Sequence, residues 1–242
     1  MNKKFTELAK KSKVIVIKVG SNILVNEKHV LRKKWLTSLI EDVQKLQKRG
    51  SKIIIVSSGA IALGRNILSK KKLTNLHEKQ AAASIGQIQL SQQWQKAFAK
   101  FNIQSSQILI TAEDLNERRK YLNIRNTIYS LMDLNVVPII NENDTTSTEE
   151  IRFGDNDKLS AMIANALSAE LLILLSDVNG LYTANPKKST DAELITSVEE
   201  VDQEIEKYID KDLSEFGSGG MLAKINAAKL CIQSGSTMII SN

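Results

Sequence analysis

The sequence predicts an α/β protein in which helices cover both faces of a central, mainly parallel sheet. Two observations lead to this fold class. Short, continuous runs of Val, Ile and Leu recur along the 242 residues, and such runs are typical of strands that are buried on both faces. Segments with apolar residues at helical spacing separate these runs, and regular alternation of strands and helices favours parallel pairing.

The predicted elements alternate along the whole chain. Strands are predicted over residues 14–19, 53–56, 106–110, 136–140, 170–175 and 237–240. Helices are predicted over 30–49, from 60 onward, over 79–100, over 121–134, after the segment 153–161 and over 221–233. Thr111 is expected to cap the polar segment after the third strand. Residues 190–209 are expected to be irregular, with a strand-like stretch at 194–198.

The composition indicates an ordinary globular chain. Hydrophobic residues make up 42% and charged residues 25%, so a core can be buried. No apolar run is long enough to cross a bilayer, so we expect no membrane partner. The single cysteine, Cys231, excludes an internal disulfide and suits a reducing cytosol, so we expect a cytoplasmic location. On its predicted helix, Cys231 is expected to be a small core residue.

The positive charge of the chain is spread over its surface. The formal net charge is +6, which can indicate nucleic acid, acidic lipid or an anionic small molecule as partner. The lysines are scattered, and no basic stripe alternates with aromatic residues, so we expect no nucleic-acid partner. His29 and His77 stand alone, without the spacing of metal ligands.

Several polar side chains follow the predicted strands at the point where each strand ends. They are Lys18, Ser58, Asp144, Ser176 and Asp177. Because ligands of parallel sheets bind at the carboxyl ends of the strands, we expect these residues to meet at one site. A lysine in an apolar strand is costly, so Lys18 either extends its amine to solvent or faces an anion.

Residues 153–161, Phe-Gly-Asp-Asn-Asp-Lys-Leu-Ser-Ala, place two carboxylates and an amide at the start of a helix. Backbone N–H groups lack partners at a helix start, and one such side chain is enough to cap them. The segment is therefore either an N-cap loop with surplus polar groups or a polar site that holds a small charged ligand.

The candidate site combines two cations with three carboxylates. Lys18 and Lys224 each lie beside a glycine-bearing segment, and the carboxylates are Asp144, Asp155 and Asp157. The sequence contains no serine–histidine or cysteine–histidine arrangement, no metal-ligand spacing, and no phosphate-loop or dinucleotide glycine pattern. The combination suits phosphoryl transfer through positioning and charge neutralisation.

Six motifs, in this order, resemble those of the glutamate 5-kinases, which are a branch of the amino acid kinase superfamily. They are KVGS (18–21), SSGAIALG (57–64), NEND (141–144), GDNDKLSA (154–161), LSDVNGLY (175–182) and GGMLAK (219–224). The resemblance covers nearly the whole chain. It implies a three-layer αβα sandwich that forms a single domain over 1–242, with a glutamate-binding part over roughly 1–168 and a nucleotide-binding part over roughly 169–242.

The resemblance also implies an activity and a set of residue roles. The activity is transfer of the γ-phosphate of ATP to the side-chain carboxylate of L-glutamate, with Mg²⁺ bridging the phosphates and no metal ligand assigned in the protein. The product, L-glutamyl 5-phosphate, opens proline biosynthesis. The implied catalytic residues are Lys18, Lys224 and Asp157, and the implied glutamate-binding residues are Ser58, Asp144, Asn156 and Asp155. The implied nucleotide-binding residues are Lys18, Ser176, Asp177, Ser218, Gly219, Gly220, Met221, Leu222, Ala223 and Lys224.

Further expectations concern the C-terminal end of the chain, the nucleotide affinity, inhibition and assembly. Many members carry a further C-terminal, RNA-binding-type domain, and we expect these 242 residues to be the kinase domain without it, slightly short of its usual end. Asn179 stands where aspartate is common in the family, which bears on nucleotide affinity. The resemblance further implies inhibition by proline and assembly into homodimers or homotetramers.

Other functions compete with this hypothesis. An amino acid kinase could act on aspartate, N-acetylglutamate or carbamate, but the Gly-Asp-Asn-Asp segment at 154–157 looks particular to the glutamate enzymes. A non-catalytic amino-acid sensor on the same fold would have no need of both Lys18 and Lys224. A nucleic-acid-binding module is disfavoured by the scattered charge.

Overall fold

A six-stranded sheet forms the centre of the protein. The computed structural model describes residues 3–69, 72–147, 156–184, 186, 189–203, 205, 208 and 220–242. The sheet contains β1 (Val14–Val19), β2 (Lys52–Ser57), β3 (Ser105–Ile110), β4 (Val137–Glu142), β5 (Leu171–Leu175) and β8 (Thr237–Ser241). Its order is β3-β4-β2-β1-β5-β8, and each pair of neighbours is parallel. A short antiparallel pair joins β6 (Leu181–Tyr182) to β7 (Leu194–Ile195).

Helices cover the sheet on both sides. They are α1 (Lys3–Lys11), α2 (Ser21–Leu24), α3 (Lys33–Gln47), α4 (Ala60–Ile67), α5 (Leu76–Ala99), α6 (Ala112–Asn116), α7 (Arg118–Asp133), α8 (Asn156–Ala166) and α9 (Gly220–Ser234). Among the described residues, none of these helices combines the length and apolar content needed to span a bilayer.

The core consists of two apolar layers, one on each face of the sheet. Ile15 and Ile17 of β1 point into the layer formed with α1 to α5, whereas Val16 points into the layer formed with α6 to α9. Alternate residues of a strand face opposite sides, so a strand covered on both sides must be apolar at every position. This explains the continuous apolar runs, and it confirms the predicted αβα fold class. Cys231 is fully buried in the second layer, as predicted.

The helices α4 and α5 pack backbone against backbone. A Cβ atom on Gly64 would overlap the carbonyl oxygen of Ala82, and one on Gly86 would overlap the carbonyl oxygen of Ala60. Only glycine therefore permits this crossing. The Ala-rich helix α5 around Gly86 thus packs closely on α4.

Local contacts determine where some helices begin. The predicted helix over 30–49 begins only at Lys33, because Val25 and Leu31 form an antiparallel bridge. In the turn between them, the side-chain oxygen of Asn26 accepts the N–H groups of Lys28 and Val30, both at 3.0 Å. Thr111 caps α6 as predicted, accepting from the N–H of Asp114 at 3.3 Å. The short helices α2 and α6 and the N-terminal α1 were not predicted, since each is too short for helical periodicity to stand out.

Candidate active site

A cleft of about 780 Å³ opens at the carboxyl ends of four adjacent strands, β4, β2, β1 and β5. Each of these strands is followed by a turn that places polar groups on the wall of the cleft. Parallel strands direct all of their carboxyl ends to one edge of a sheet, and this edge is where ligands of such folds bind. The geometry therefore brings residues from distant parts of the chain to one place.

Two lysines meet on one carboxylate at the centre of the cleft. Lys18, at the end of β1, pairs with Oδ1 of Asp157, and Lys224, in the first turn and a half of α9, pairs with Oδ2 at 3.0 Å. The three residues are buried, with exposed fractions of 7%, 5% and 7% for Lys18, Asp157 and Lys224. Nζ of Lys224 also donates to the carbonyl oxygen of Gly220 at 3.3 Å.

This cluster carries an excess of positive charge. Among the residues that the structure describes, the two ammonium groups pair directly with one carboxylate, so this cluster of three leaves one positive charge for an anion. Burial acts to raise the pKa of Asp157, but the charges and hydrogen bonds of Lys18 and Lys224 outweigh it, so the pKa is lowered and the carboxylate stays ionised. A buried cation without a full complement of anions is unfavourable, which makes the centre suited to a phosphate.

Neutral side chains form the wall on the β2 and β4 side. Nδ2 of Asn156, the first residue of α8, donates to Oγ of Ser58 at 3.0 Å and to Oδ1 of Asn141 at 3.1 Å. Among the described residues, Oδ1 of Asn156 has no hydrogen-bond partner, although Asn156 is only 3% exposed. Buried polar atoms are normally paired, so this oxygen, which is itself closed to solvent, is an exception within the wall. Gly59, with φ +113°, forms the turn between Ser58 and α4.

Asp144 lies in the same part of the cleft. It is 9% exposed, and burial raises its pKa to about 6. Arg65, Lys72 and Lys79 also line the cleft and come from α4, the segment after it, and α5. The cleft as a whole thus offers a carboxylate and cations, which are the groups that bind the ammonium and the carboxylate of an amino acid.

The other end of the cleft lies at the end of β5. Oγ of Ser176 donates to Oδ1 of Asp177 at 3.2 Å, and Nδ2 of Asn22 donates to Oδ2 at 3.1 Å. Burial acts to raise the pKa of Asp177, but these hydrogen bonds and the charge of Lys224 lower it below its ordinary value. The N–H of Gly20 donates to the carbonyl oxygen of Leu175 at 3.0 Å and joins the two strand ends.

Most of the predicted site residues line this single cleft. They are Lys18, Ser58, Asp144, Asn156, Asp157, Ser176, Asp177, Gly220, Leu222, Ala223 and Lys224. Met221 packs instead against an apolar cluster that contains Leu181 and Ile225. Asp155, Ser218 and Gly219 lie outside the described residues. The structure therefore shows where these side chains lie, whereas their roles in binding and catalysis stay predictions.

The structure adds wall residues that were not predicted as site residues. Asn22 and Asn141 stand in or beside motifs that were recognised, so their position directly after a strand was an available signal. Arg65, Lys72 and Lys79 gave no such signal, because single cations on helices are usually solvated. Their place on the wall depends on how α4 and α5 pack.

The fold and the cleft together define an α/β protein with two buried cations on one carboxylate at the strand ends. Residues 13–242 match the model of the amino acid kinase family, and the chain therefore belongs to that family.

Two curated relatives and one solved structure illustrate the similarity. A glutamate 5-kinase of Pelagibacter ubique (strain HTCC1062) is 50% identical over 234 residues, which are 96% of this chain and 64% of that protein. A glutamate 5-kinase of Brucella abortus (strain S19) is 48% identical over 229 residues, 94% of this chain and 61% of that protein. The chain thus spans less than two thirds of the length of these relatives.

A carbamate kinase from Giardia lamblia bound to AMP-PNP has a similar structure, with a TM-score of 0.63 and 18% identity. The match covers 96% of this chain and 93% of that chain. At this identity the likeness concerns the fold alone, and it agrees with the predicted αβα architecture.

Proposed function

We propose that this chain transfers the γ-phosphoryl group of ATP to the side-chain carboxylate of L-glutamate and produces L-glutamyl 5-phosphate, the first step of proline biosynthesis. The observation that carries the proposal is the meeting of Lys18 and Lys224 on Asp157, in the middle of a cleft with a different wall at each end. The glutamate 5-kinases that are 48% and 50% identical to the chain support the substrate.

The central cluster suits the electrostatics of this reaction. A carboxylate oxygen of glutamate forms a bond to the γ-phosphorus while the bond to the β,γ-bridging oxygen breaks, and ADP leaves with the electron pair. Attacking and leaving groups are both anions, so cations fixed beside the moving phosphoryl group lower the barrier. Lys18 and Lys224 supply that charge, and Asp157 orients them. No general base is required, because a glutamate side chain is already ionised at neutral pH.

The amide and carboxylate wall would hold the amino acid. Asp144 would pair with the substrate ammonium group, and Asn156, which lines the same cleft, would contact the amino acid. Ser58 would complete this end, with Asp155 assigned there by resemblance alone. The raised pKa of Asp144, about 6, still leaves the carboxylate ionised at neutral pH.

The β5 end would hold the nucleotide. Ser176 and Asp177 lie there, residues 220–224 form the start of α9, whose N-terminal N–H groups favour anions, and Ser218 and Gly219 are assigned there by resemblance alone. The donor set fits a Mg²⁺ ion held chiefly by phosphate oxygens and water, because this ion usually takes only one or two protein carboxylates. Bound there, it would neutralise phosphate charge. Among the described residues, no three His, Cys, Asp or Glu side chains form a complete metal site.

Trapping the acyl phosphate tests the proposal. The purified chain is incubated with ATP, Mg²⁺, hydroxylamine and one acid at a time, and both hydroxamate and ADP are measured. We expect both products with glutamate, and much less with aspartate, N-acetylglutamate or carbamate. Turnover with aspartate but not with glutamate would overturn the substrate assignment. ADP formed without any dependence on an added acid would overturn the kinase assignment.

Three further properties rest on resemblance or composition and belong to the same proposal. They are feedback inhibition by proline, assembly into homodimers or homotetramers, and a cytoplasmic location. Adding proline to the glutamate assay and measuring the molar mass in solution test the first two.

A further inference from the structure

The helix α5 supports the proposed glutamate end of the cleft from behind. Nε1 of Trp94 donates to Oγ of Ser57 at 2.9 Å, and Nε2 of Gln80 donates to the carbonyl oxygen of Ser147 at 3.1 Å. Gly86 lies against the backbone of Ala60, directly after the turn that contains Ser58. These contacts hold α5 in one register against β2, α4 and the loop after β4.

The next residue of α5, Gln87, reaches the site indirectly. Its Oε1 accepts a hydrogen bond from Nδ2 of Asn141 at 2.8 Å, whereas the described wall of the cleft does not include Gln87. Asn141 in turn accepts from Asn156, which donates to Ser58. Gln87 is therefore the outer end of a chain of neutral hydrogen bonds that ends on the cleft wall.

A backbone N–H group fixes the direction of the hydrogen bonds around Asn141. The N–H of Glu142 donates to Oδ1 of Asn141 at 2.9 Å, so this oxygen must face Glu142 and the amide nitrogen must face Gln87. An amide has an acceptor on one side and a donor on the other. Because Oδ1 of Asn141 also faces Asn156, Asn156 must present its nitrogen to Asn141 and its unpaired oxygen elsewhere.

We propose that Gln87 is a positioning residue that completes the hydrogen bonding of Asn141 and so holds Asn141, Asn156 and Ser58 in place on the wall that would bind glutamate. This inference rests on the proposed function. Without an acceptor at Gln87, Nδ2 of Asn141 would be buried without a partner, which favours movement of the whole Asn141 side chain towards the cleft that it lines. Asn156 would then lose the acceptor that fixes its own orientation.

The test compares three Gln87 variants with one control in the full chain. Q87M keeps the shape but removes the acceptor, Q87E keeps an acceptor oxygen, and Q87N withdraws it by one methylene group. Q44M is the matched control, because Nε2 of Gln44 donates to the carbonyl oxygen of Phe101 at 3.2 Å, at a position outside the cleft wall. The measurements are KM for glutamate, KM for ATP, kcat and the thermal unfolding midpoint.

We expect Q87M to raise KM for glutamate about tenfold, the effect of one lost hydrogen bond of about 1.4 kcal/mol. KM for ATP should stay within about twofold, and Q87E should recover most of the affinity for glutamate. Q87N should shift KM for glutamate in the same direction as Q87M, and it replaces Q87M if that variant does not fold. Q44M should leave both KM values unchanged.

Three results would overturn the inference. They are a wild-type KM for glutamate in Q87M and Q87N, equal increases in both KM values, or the same increase in Q44M. Each of these results presupposes a wild-type chain that phosphorylates glutamate, so the proposed function would stand. A wild-type chain that shows no turnover with glutamate overturns the proposed function together with this inference.

Discussion

The two working regions of the cleft are built in different ways. The centre consists of charged groups from three distant segments, since Lys18, Asp157 and Lys224 come from β1, α8 and α9. The proposed glutamate end consists mainly of neutral amides and a hydroxyl, linked in a chain from Gln87 to Ser58. Charge acts over several ångströms with little dependence on angle, whereas a neutral hydrogen bond requires a donor to face an acceptor.

The difference indicates a division of labour. The charged centre suits stabilisation of a transition state, which is common to kinases for many acids. The neutral end suits discrimination, because a buried polar group that a wrong ligand leaves unpaired penalises that ligand. Substitutions at the centre should therefore act on turnover, and substitutions at the amide end should act on substrate affinity.

Removal of a central cation is expected to have the largest effect. Replacing Lys224 with alanine should lower kcat by about a hundredfold or more, as for the loss of a preorganised charge donor. Lys45→Ala is the control, since Lys45 forms an exposed ion pair with Asp42 at 2.9 Å and should contribute little. Steady-state kinetics with glutamate and ATP measure both. A K224A variant with wild-type kcat would remove the centre from the mechanism.

Neutralising the central carboxylate should lower stability as well as turnover. Asp157→Asn leaves two buried ammonium groups without their shared anion, and breaking a buried pair in this way costs about 3–5 kcal/mol. Urea unfolding of the ligand-free variant measures this loss. Addition of ATP should restore more stability to D157N than to the wild type, because the phosphates replace the missing charge. Equal stabilisation of both proteins by ATP would argue against an anion site at the lysines.

Substitution of Asp144 is expected to have the smallest effect. Asp144 is a charged group within the mainly neutral wall, so it shares a feature with each of the two regions. Burial raises its pKa from 3.8 to about 6 in the folded chain, so the folded state binds this proton more tightly than the unfolded state. Its contribution to stability is therefore full below about pH 4 and is lost as the pH rises through 6. Asp144→Asn removes this dependence. The stability of D144N relative to the wild type should increase by about 2 to 3 kcal/mol between pH 4 and pH 7 in urea unfolding.

Ionisation of Asp144 should also change the affinity for the substrate. The ionised form lowers stability but favours binding, so the two pH dependences have opposite directions. Binding of an ammonium group needs the ionised form of Asp144, so KM for glutamate should rise in the wild type as the pH falls below about 6. D144N should have a high KM at every pH and lack this inflection. A KM profile that is the same in both proteins would remove Asp144 from the amino-acid subsite.

The sequence could predict the fold because the strands are buried on both faces. Continuous apolar runs such as residues 14–19 and 171–175 have no other common explanation in a chain without membrane-length segments. The site was predictable in part for a related reason: parallel strands end at one edge, so polar residues at strand ends, such as Lys18 and Asp177, converge. The position of the predicted helix at 30–49 was less exact, because residues 25–31 form a bridged turn before that helix begins.

The hydrogen bond from Asn141 to Gln87, behind the wall of the cleft, could not be predicted from the sequence. Gln87 meets Asn141 only because a 24-residue helix lies on the sheet in one register, and that register depends on Gly64 and Gly86. A glutamine within a Gln-rich helix carries no mark that distinguishes it from its exposed neighbours. Contacts of this kind depend on how whole elements pack, which periodicity and local motifs do not encode.

The contact between Gly64 and Gly86 limits how this scaffold can acquire new substrates. With no room for even a methyl group between the two helices, the turn at residues 58–60 is clamped to α5 and cannot be shifted to admit a larger acid. A change of substrate must then arise from substitution of side chains on the wall of the cleft. A laboratory evolution library aimed at new acids would gain more from randomising positions such as Arg65 and Lys79 than from altering either glycine.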